Sequence, residues 1–325
     1  MARTHDAMQG TEPARATGAG AVATPAVAVT GLVKTYGTTR AVDDLSFAVA
    51  PGEVFALLGP NGAGKTTTIE ILEGYRAPDA GSVRMLGLDP VRDARRLKLQ
   101  LGVMLQADGV QPMLTPREVL RLYAAFFPDP LEPEALLDRV GLRDAAQTRC
   151  RRLSGGQKRR LALALAIVGR PALVFLDEPT TGMDPQARLA TWEIVRELRD
   201  GGTTIILTTH LLDEAERLAD RVAIIDRGRL VVLGTPQELT GGNDTGMIQL
   251  LAAPGLSLAA LAALPGVRAA REVEPGRYAI EATPAALPAA LAAITAWLRD
   301  EDVTLRELRV GHGSLEELFL RLTAV

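Results

Sequence analysis

The residues best suited to chemistry form one octapeptide, Gly59-Pro60-Asn61-Gly62-Ala63-Gly64-Lys65-Thr66. Its glycines allow the backbone to curl until successive N–H groups face one anion. Lys65 adds a mobile cation for outer phosphates, and the Thr66 hydroxyl can ligate Mg²⁺. The octapeptide therefore predicts a triphosphate site; the alternative is a glycine loop with a purely structural role.

The residues on either side of the octapeptide favour the phosphate site. Val54 to Leu58 is a continuous apolar run, which is typical of a strand buried on both faces. Thr67 to Leu72 is typical of the start of a helix, whose N-terminus adds roughly half a positive charge at the same point. A glycine-rich turn between a buried strand and a helix is the context that a phosphate loop needs.

Two adjacent carboxylates end a second apolar strand, Leu173 to Leu176. Asp177 and Glu178 are costly at that position unless they have partners. Mg²⁺ held by Thr66 and a nucleotide would partner Asp177. Because side chains alternate along a strand, Glu178 is expected to point elsewhere and to act on a water as a general base.

Other polar residues stand at positions where open α/β sheets hold ligands, the carboxyl ends of strands. Gln106 follows the apolar run Leu101 to Leu105, and His210 follows Thr204 to Leu207 and could reach a terminal phosphate. Tyr36 lies between two predicted strands, Val27 to Thr30 and Ser46 to Val49, where it either packs or stacks on a nucleotide base.

A second candidate anion site precedes a long helix predicted over Lys158 to Val168. Ser154 is a good N-cap, and the two glycines after it leave backbone N–H groups uncovered. The run Lys158-Arg159-Arg160 is either a solvated face or a nucleic-acid patch, and the first is favoured. Asp184, before Pro185, is predicted to cap the next helix.

Bulk composition describes an ordinary globular protein. The chain has 325 residues, 47% hydrophobic, with a formal net charge of −3, so no global field favours nucleic acid. The single cysteine, Cys150, fits a reducing cytosol. The apolar stretch Leu161 to Leu176 is interrupted at Gly169-Arg170-Pro171, and a membrane span needs about 20 apolar residues. Residues 1–26 are expected to form a disordered tail.

Alternation of strand and helix over residues 27–240 predicts an α/β domain with a largely parallel sheet. Within it, residues 114–152 are expected to form a helical insertion. Gly241-Gly242-Asn243 is a predicted linker. Residues 241–325 follow the order β-α-β-β-α-β, the ferredoxin-like arrangement, and end in a short helix over Leu315 to Leu322.

With these motifs in place, the chain resembles ATP-binding cassette (ABC) ATPases over about Val27 to Leu239. Gly59 to Thr66 match the Walker A loop, Leu173 to Glu178 match Walker B, and Leu153 to Gln157 match the signature, which is the specific element. Single residues match the remaining motifs: Tyr36 the base-stacking aromatic, Gln106 the Q-loop, Asp184 the D-loop and His210 the switch histidine. Met183 stands where Leu is usual.

The resemblance implies a fold class, ligands and roles. The fold class is α/β: a P-loop NTPase cassette with a mostly parallel core, an antiparallel β edge and a helical subdomain, plus a small α+β ferredoxin-like domain. The implied ligands are ATP and Mg²⁺, with Mg²⁺ on Thr66, Gln106 and Asp177. The implied catalytic residues are Lys65, Gln106, Glu178 and His210. Nucleotide contacts are implied for Tyr36, Gly59, Asn61, Gly62, Gly64, Lys65, Thr66, Thr67, Ser154, Gly155, Gly156, Gln157 and Asp184.

The resemblance also implies partners. Two cassettes pack head to tail, so that the signature of one chain closes the Walker A site of the other; this predicts a homodimer. The closing stretch Ser314 to Leu320 is similar to daunorubicin-resistance exporter ATPases, which pair with a separate ABC-2 type permease at the cytoplasmic face of the membrane. Two alternatives stay open: a soluble ABC ATPase acting on nucleic acid or the ribosome, and a non-catalytic sensor. For residues 241–325, dimer support and regulation are both open.

Overall fold

The computed structural model describes residues 24–104, 110–240, 246–310 and 314–323. Gln106, most of the predicted tail and the predicted linker lie outside the described residues. The strands are β1 (Val27–Tyr36), β2 (Thr39–Val49), β3 (Val54–Leu58), β4 (Ala80–Met85), β5 (Leu101–Met104), β6 (Leu173–Asp177), β7 (Thr204–Thr208), β8 (Arg221–Asp226), β9 (Arg229–Gly234), β10 (Gly246–Leu251), β11 (Val267–Glu274), β12 (Arg277–Ala282) and β13 (Glu307–Val310).

The helices connect these strands and cover the sheets. They are α1 (Lys65–Leu72), α2 (Ala94–Lys98), α3 (Pro116–Ala124), α4 (Pro133–Arg139), α5 (Gly155–Ile167), α6 (Pro185–Asp200), α7 (Leu212–Leu218), α8 (Pro236–Leu239), α9 (Leu258–Ala262), α10 (Leu287–Asp300) and α11 (Leu315–Thr323). Within the described ranges, no helix is both long enough and apolar enough to cross a membrane.

The central sheet has the strand order β5-β6-β7-β3-β8-β9. All neighbours pair in parallel except β8 and β9, which form an antiparallel edge. β3 and β7 are buried along their whole length, which explains why the sequence shows continuous apolar runs there. This arrangement confirms the predicted α/β fold with its mostly parallel core.

A second, antiparallel sheet has the order β2-β1-β4. β1 and β2 are longer than the apolar stretches Val27 to Thr30 and Ser46 to Val49 predicted. The extra residues run out to Tyr36 and back from Thr39, which pair across the tip of the hairpin. At the tip, Thr35, Tyr36, Thr39 and Arg40 are exposed, so the hydrophobic pattern did not reveal this part of the hairpin as strand.

Between β5 and β6, the described residues form helices and turns. Thr115 and Glu118 form a capping box at the start of α3, with Pro116 at the first helical position. Leu120 and Leu136 join α3 and α4 to the core that also contains Leu161 and Val174.

The third sheet, near the C-terminus, has the order β11-β12-β10-β13, with all neighbours antiparallel. Helix α9 connects β10 to β11, and α10 connects β12 to β13. This is the connectivity of the split β-α-β motif that the element order predicted. Ile248, Tyr278 and Ile294 share a core separate from those of the cassette.

The last helix, α11, returns to the central sheet. Leu315 and Leu318 are buried in one cluster with Leu58, Ala215 and Ile224. The C-terminal residues therefore pack on the same part of the fold from which the phosphate loop departs.

Candidate functional site

The octapeptide forms the turn between β3 and α1. Gly62 and Gly64 have φ angles of 81° and 101°, in the left-handed region that favours glycine. A Cβ on Gly64 would lie 2.3 Å from the carbonyl oxygen of Ala41. No side chain caps α1. Because the first N–H groups of a helix have no partner within it, the turn presents donors to an anion.

This turn opens into a cavity of about 880 Å³. Most of the predicted site residues line it, although they come from distant parts of the chain: Tyr36, Gly59, Asn61, Gly62, Gly64, Lys65, Thr66, Thr67, Asp177, Glu178 and His210. The parallel order of β6, β7 and β3 explains this convergence, because the carboxyl ends of parallel strands meet at one edge of the sheet.

The Lys65 side chain bonds back to the backbone of the phosphate loop. Its Nζ donates to the carbonyl oxygens of Gly59 at 2.6 Å and Pro60 at 3.0 Å. Burial lowers the pKa of this ammonium, and the carboxylates of Glu178 and Asp177 oppose that shift. The Lys65 ammonium therefore lies against the loop and lines the cavity that would receive a polyphosphate.

Asp177 ends β6 directly beside Thr208 on β7. The Thr208 hydroxyl donates to Asp177 Oδ1. Among the described residues, no cluster of three or more His, Cys, Asp or Glu side chains could hold a metal. The oxygen donors of Thr66 and Asp177 nevertheless fit Mg²⁺, which takes few protein ligands and completes its shell with phosphate oxygens and water.

Glu178 lies just beyond the end of β6 with φ at +48°, which is unusual for a residue with a side chain. Its N–H donates to the Thr208 carbonyl at 2.9 Å, and the Thr181 hydroxyl donates to Oε2 at 3.2 Å. The alternation argument therefore gives the wrong reason for its direction: a left-handed backbone, not a strand position, orients Glu178. Such strained residues concentrate at functional sites.

His210 follows β7 and is exposed. Its Nδ1 lies 3.2 Å from Glu178 Oε1. The two side chains that the sequence assigned to water activation and to phosphate contact are thus direct neighbours at the mouth of the cavity.

Tyr36 lies at the hairpin tip and is 40% exposed. The Arg76 guanidinium is 5.4 Å and the Lys34 ammonium 5.8 Å from the ring centroid. Arg76 pairs with Glu70, and Lys34 pairs with Asp79 at 2.8 Å. This exposure argues against a packing role for Tyr36.

The second predicted anion site lies elsewhere. Ser154 caps α5, which begins at Gly155 and not at Lys158 as predicted; Ser154 Oγ accepts from Gln157 N–H at 3.2 Å. A Cβ on Gly156 would lie 3.9 Å from Met183, so this helix start faces the segment before Asp184. Asp184 accepts from Ala187 N–H at 2.9 Å, and that bond lowers the pKa of its carboxyl.

None of these residues, Ser154, Gly155, Gly156, Gln157 and Asp184, lines the cavity. Ser154 and Asp184 are exposed. The described chain therefore presents the two predicted phosphate-binding sets at separate places.

Glu73 is a cavity residue that the sequence argument missed. It lies at the end of α1 and lines the cavity together with Glu70. Burial first, and then the nearby Asp177 and Glu70 carboxylates, raise the pKa of Glu73 to about 7. A glutamate at a helix end is ordinarily solvated. Glu73 differs because the end of α1 places it at the cavity, which the sequence pattern does not reveal.

Glu73→Gln is expected to change the pH dependence of stability. The folded-state pKa is raised above that of the unfolded chain, so the contribution of Glu73 to the free energy of unfolding is complete below about pH 4.5 and falls until about pH 7. The stability gained on Glu73→Gln should therefore be larger at pH 8 than at pH 4.5, by at most about 3 kcal/mol.

Urea unfolding without nucleotide measures this difference, with Trp192 fluorescence as the probe in a Trp297→Phe background. Glu301→Gln, on an exposed turn outside the cavity, is the matched control. A Glu73→Gln effect that is the same at pH 4.5 and pH 8 would contradict the expected titration.

Comparison with known proteins identifies the family. The sequence model of the ABC transporter family matches residues 42–181. The daunorubicin resistance ATP-binding protein DrrA3 of Streptomyces coeruleorubidus is 36% identical over 310 residues, covering 93% of this chain and 97% of that protein. The Nod factor export ATP-binding protein I of Ralstonia nicotianae is 39% identical over 319 residues, covering 94% and 96%.

Solved structures agree on the fold. The ATP-binding subunit of an ABC transporter superposes with a TM-score of 0.61 at 30% identity, covering 66% of this chain and 91% of that one. A dimeric cassette bound to ADP and phosphate superposes with a TM-score of 0.60 at 23% identity, covering 64% and 98%. The chain therefore belongs to the ATP-binding proteins of the ABC transporter family, and it is an ATP-hydrolysing cassette.

Proposed function

We propose that this chain is the nucleotide-binding subunit of an exporter whose membrane permease is a separate chain. The observation that carries the proposal is the separation of the two sets of phosphate-binding groups. Lys65 and Glu178 line the cavity, whereas Ser154 and Asp184 lie outside it on an exposed surface. A second copy, placed head to tail, would bring its Ser154 and Gly156 to the open cavity and close it.

ATP is held by the phosphate loop in this proposal. The backbone N–H groups of the loop and the Lys65 ammonium contact the phosphates, and the base stacks on Tyr36. Thr66 and Asp177 would hold Mg²⁺, with Gln106 as a further ligand. When bound, Mg²⁺ neutralises charge on the β- and γ-phosphates.

Hydrolysis needs a water in line with the γ-phosphorus. Glu178 accepts a proton from this water as its oxygen bonds to phosphorus, and the bond from phosphorus to the β–γ bridging oxygen breaks. The products are ADP and inorganic phosphate, with no covalent enzyme intermediate. His210, beside Glu178, contacts the γ-phosphate and aligns the two groups.

The exported compound is proposed to be drug-like or hydrophobic. Two families of relatives support export: one is named for resistance to daunorubicin, the other for export of Nod factor. Their near-complete coverage of this chain includes the C-terminal residues.

The subunit would then act at the cytoplasmic face of the membrane, where an ABC-2 type permease would present its docking surface. We propose that residues 27–240 form the motor and residues 241–325 an accessory domain.

Isolation of the tagged chain from detergent-solubilised membranes of its own organism tests the proposal. We expect a polytopic membrane protein at fixed stoichiometry, and ATP hydrolysis that changes when the two are reconstituted together. Recovery with ribosomes or nucleic acid, and without a polytopic partner, would contradict it and favour a soluble ABC ATPase. The absence of phosphate release by the purified pair would favour a sensor.

A further inference from the structure

Glu214 is a buried carboxyl that the proposed reaction does not use. It lies on α7, four residues after His210, and its relative exposure is 0%. Oε1 accepts two hydrogen bonds, from the Thr180 hydroxyl at 2.8 Å and from Trp192 Nε1 at 2.9 Å. Oε2 is buried without a hydrogen-bond partner among the described residues.

The two donors belong to different segments of the site. Thr180, 2% exposed, lies two residues after Glu178 in the segment that leads to Asp184. Trp192, 3% exposed, lies on α6, the helix that Asp184 caps. The guanidinium groups of Arg188 and Arg217 flank its ring at 5.6 and 5.4 Å. Through these two hydrogen bonds, Glu214 Oε1 connects α7 to α6 and to the segment after β6.

Burial of a carboxyl costs desolvation free energy, so packing alone does not explain why a carboxyl joins these elements. An apolar side chain of similar volume would fill the same space without that cost. The geometry here has a further consequence, because Glu178 has a strained backbone and needs its surroundings to hold it. The Glu214 bonds restrain both the segment that carries Glu178 and the helix that follows His210.

We propose that Glu214 is a positioning residue for ATP hydrolysis: by bonding Thr180 and Trp192 it fixes the approach of His210 Nδ1 to Glu178 Oε1, 3.2 Å in this structure. Glu214 does not line the cavity, so it is placed to act through its neighbours. The inference rests on the roles proposed above for Glu178 and His210.

Two replacements of Glu214 separate the loss of its acceptor oxygen from the loss of its acidic group. In Glu214→Ala, kcat for phosphate release by the full-length chain should fall by roughly ten- to a hundredfold, as expected for a catalytic group displaced by about 1 Å. The KM for ATP should change by less than about twofold, because the phosphate loop is untouched. Glu214→Gln keeps an acceptor oxygen for both donors and should stay within about threefold of the wild-type kcat.

The fluorescence of Trp192 reports the bond directly. In a Trp297→Phe background, Trp192 is the remaining tryptophan of the chain. Its emission should shift in Glu214→Ala and return in Glu214→Gln. Thr180→Val removes one donor and leaves the carboxyl in place, so it should lower kcat in the same direction even if Glu214→Ala fails to fold.

A double-mutant cycle distinguishes positioning from general stability. If Glu214 acts through His210, then Glu214→Ala should lower kcat by less than about threefold in a His210→Ala background. A full additive loss in that background would overturn the proposal, as would unchanged kcat in folded Glu214→Ala. Near-wild-type hydrolysis by Glu178→Gln would instead overturn the role of Glu178, so the two failures are distinguishable.

Discussion

Glu178→Gln is expected to lower the steady-state rate of ATP hydrolysis by about 10²- to 10⁴-fold. Glutamine has the same shape, but it cannot accept a proton from the attacking water. The amide can still receive the Thr181 hydroxyl bond, and the backbone bond to Thr208 does not involve the side chain. The cavity should therefore keep its form, and ATP affinity should remain within a fewfold of the wild type.

Phosphate release at saturating ATP and titration calorimetry separate rate from affinity. Glu193→Gln, an exposed carboxyl on α6, is the matched control. We expect it to hydrolyse ATP at the wild-type rate. Near-wild-type hydrolysis by Glu178→Gln would contradict the role of Glu178 as general base.

Lys65→Ala is expected to weaken ATP binding by roughly 10²-fold, because truncation of one partner of a buried charge pair costs about 2–5 kcal/mol. The variant loses the cation that faces the outer phosphates. It also loses the two bonds that Nζ donates to the loop carbonyls of Gly59 and Pro60. The lost cation acts on the outer phosphates, so the affinity for AMP should fall much less than that for ATP.

Lys98→Ala, on the exposed face of α2, controls for the loss of one positive charge. Thermal unfolding without nucleotide establishes that both variants are folded. Equal affinities of wild type and Lys65→Ala for ATP would refute the assignment of Lys65 to the phosphates.

Much of the fold could be predicted because local and global signals agree. The apolar run Val54 to Leu58 is a fully buried strand, and the glycine pattern after it has one physical use. The position of Asp177 at the end of a buried strand was also predictable from the sequence. These features depend on neighbours in the chain, and the hydrophobic pattern expresses them directly.

The features that were missed depend on distant contacts. The direction of Glu178 follows from its left-handed backbone, which the strand pattern of β6 does not reveal. Glu73 and Glu214 resemble ordinary solvated residues in the sequence, and only the packing of α1 and α7 makes Glu73 half-buried and Glu214 buried. Buried acids are identified by their surroundings, and a single sequence does not describe those.

The separation of the two predicted phosphate-binding sets was predictable only in part. The sequence predicts two anion sites from Gly59 to Thr66 and from Ser154 to Gln157. Only the fold shows that the two predicted sites are apart within one chain, because it leaves Ser154 exposed and outside the cavity.

The molar mass of purified Glu178→Gln, measured by light scattering with and without ATP and Mg²⁺, is the most direct test of the composite site. With hydrolysis blocked, ATP should convert the chain of 34.5 kDa into a species of twice that mass, and Ser154→Arg at the exposed helix start should prevent the conversion. A chain that binds ATP and stays monomeric at every concentration would show that one copy suffices, and it would contradict the paired motor.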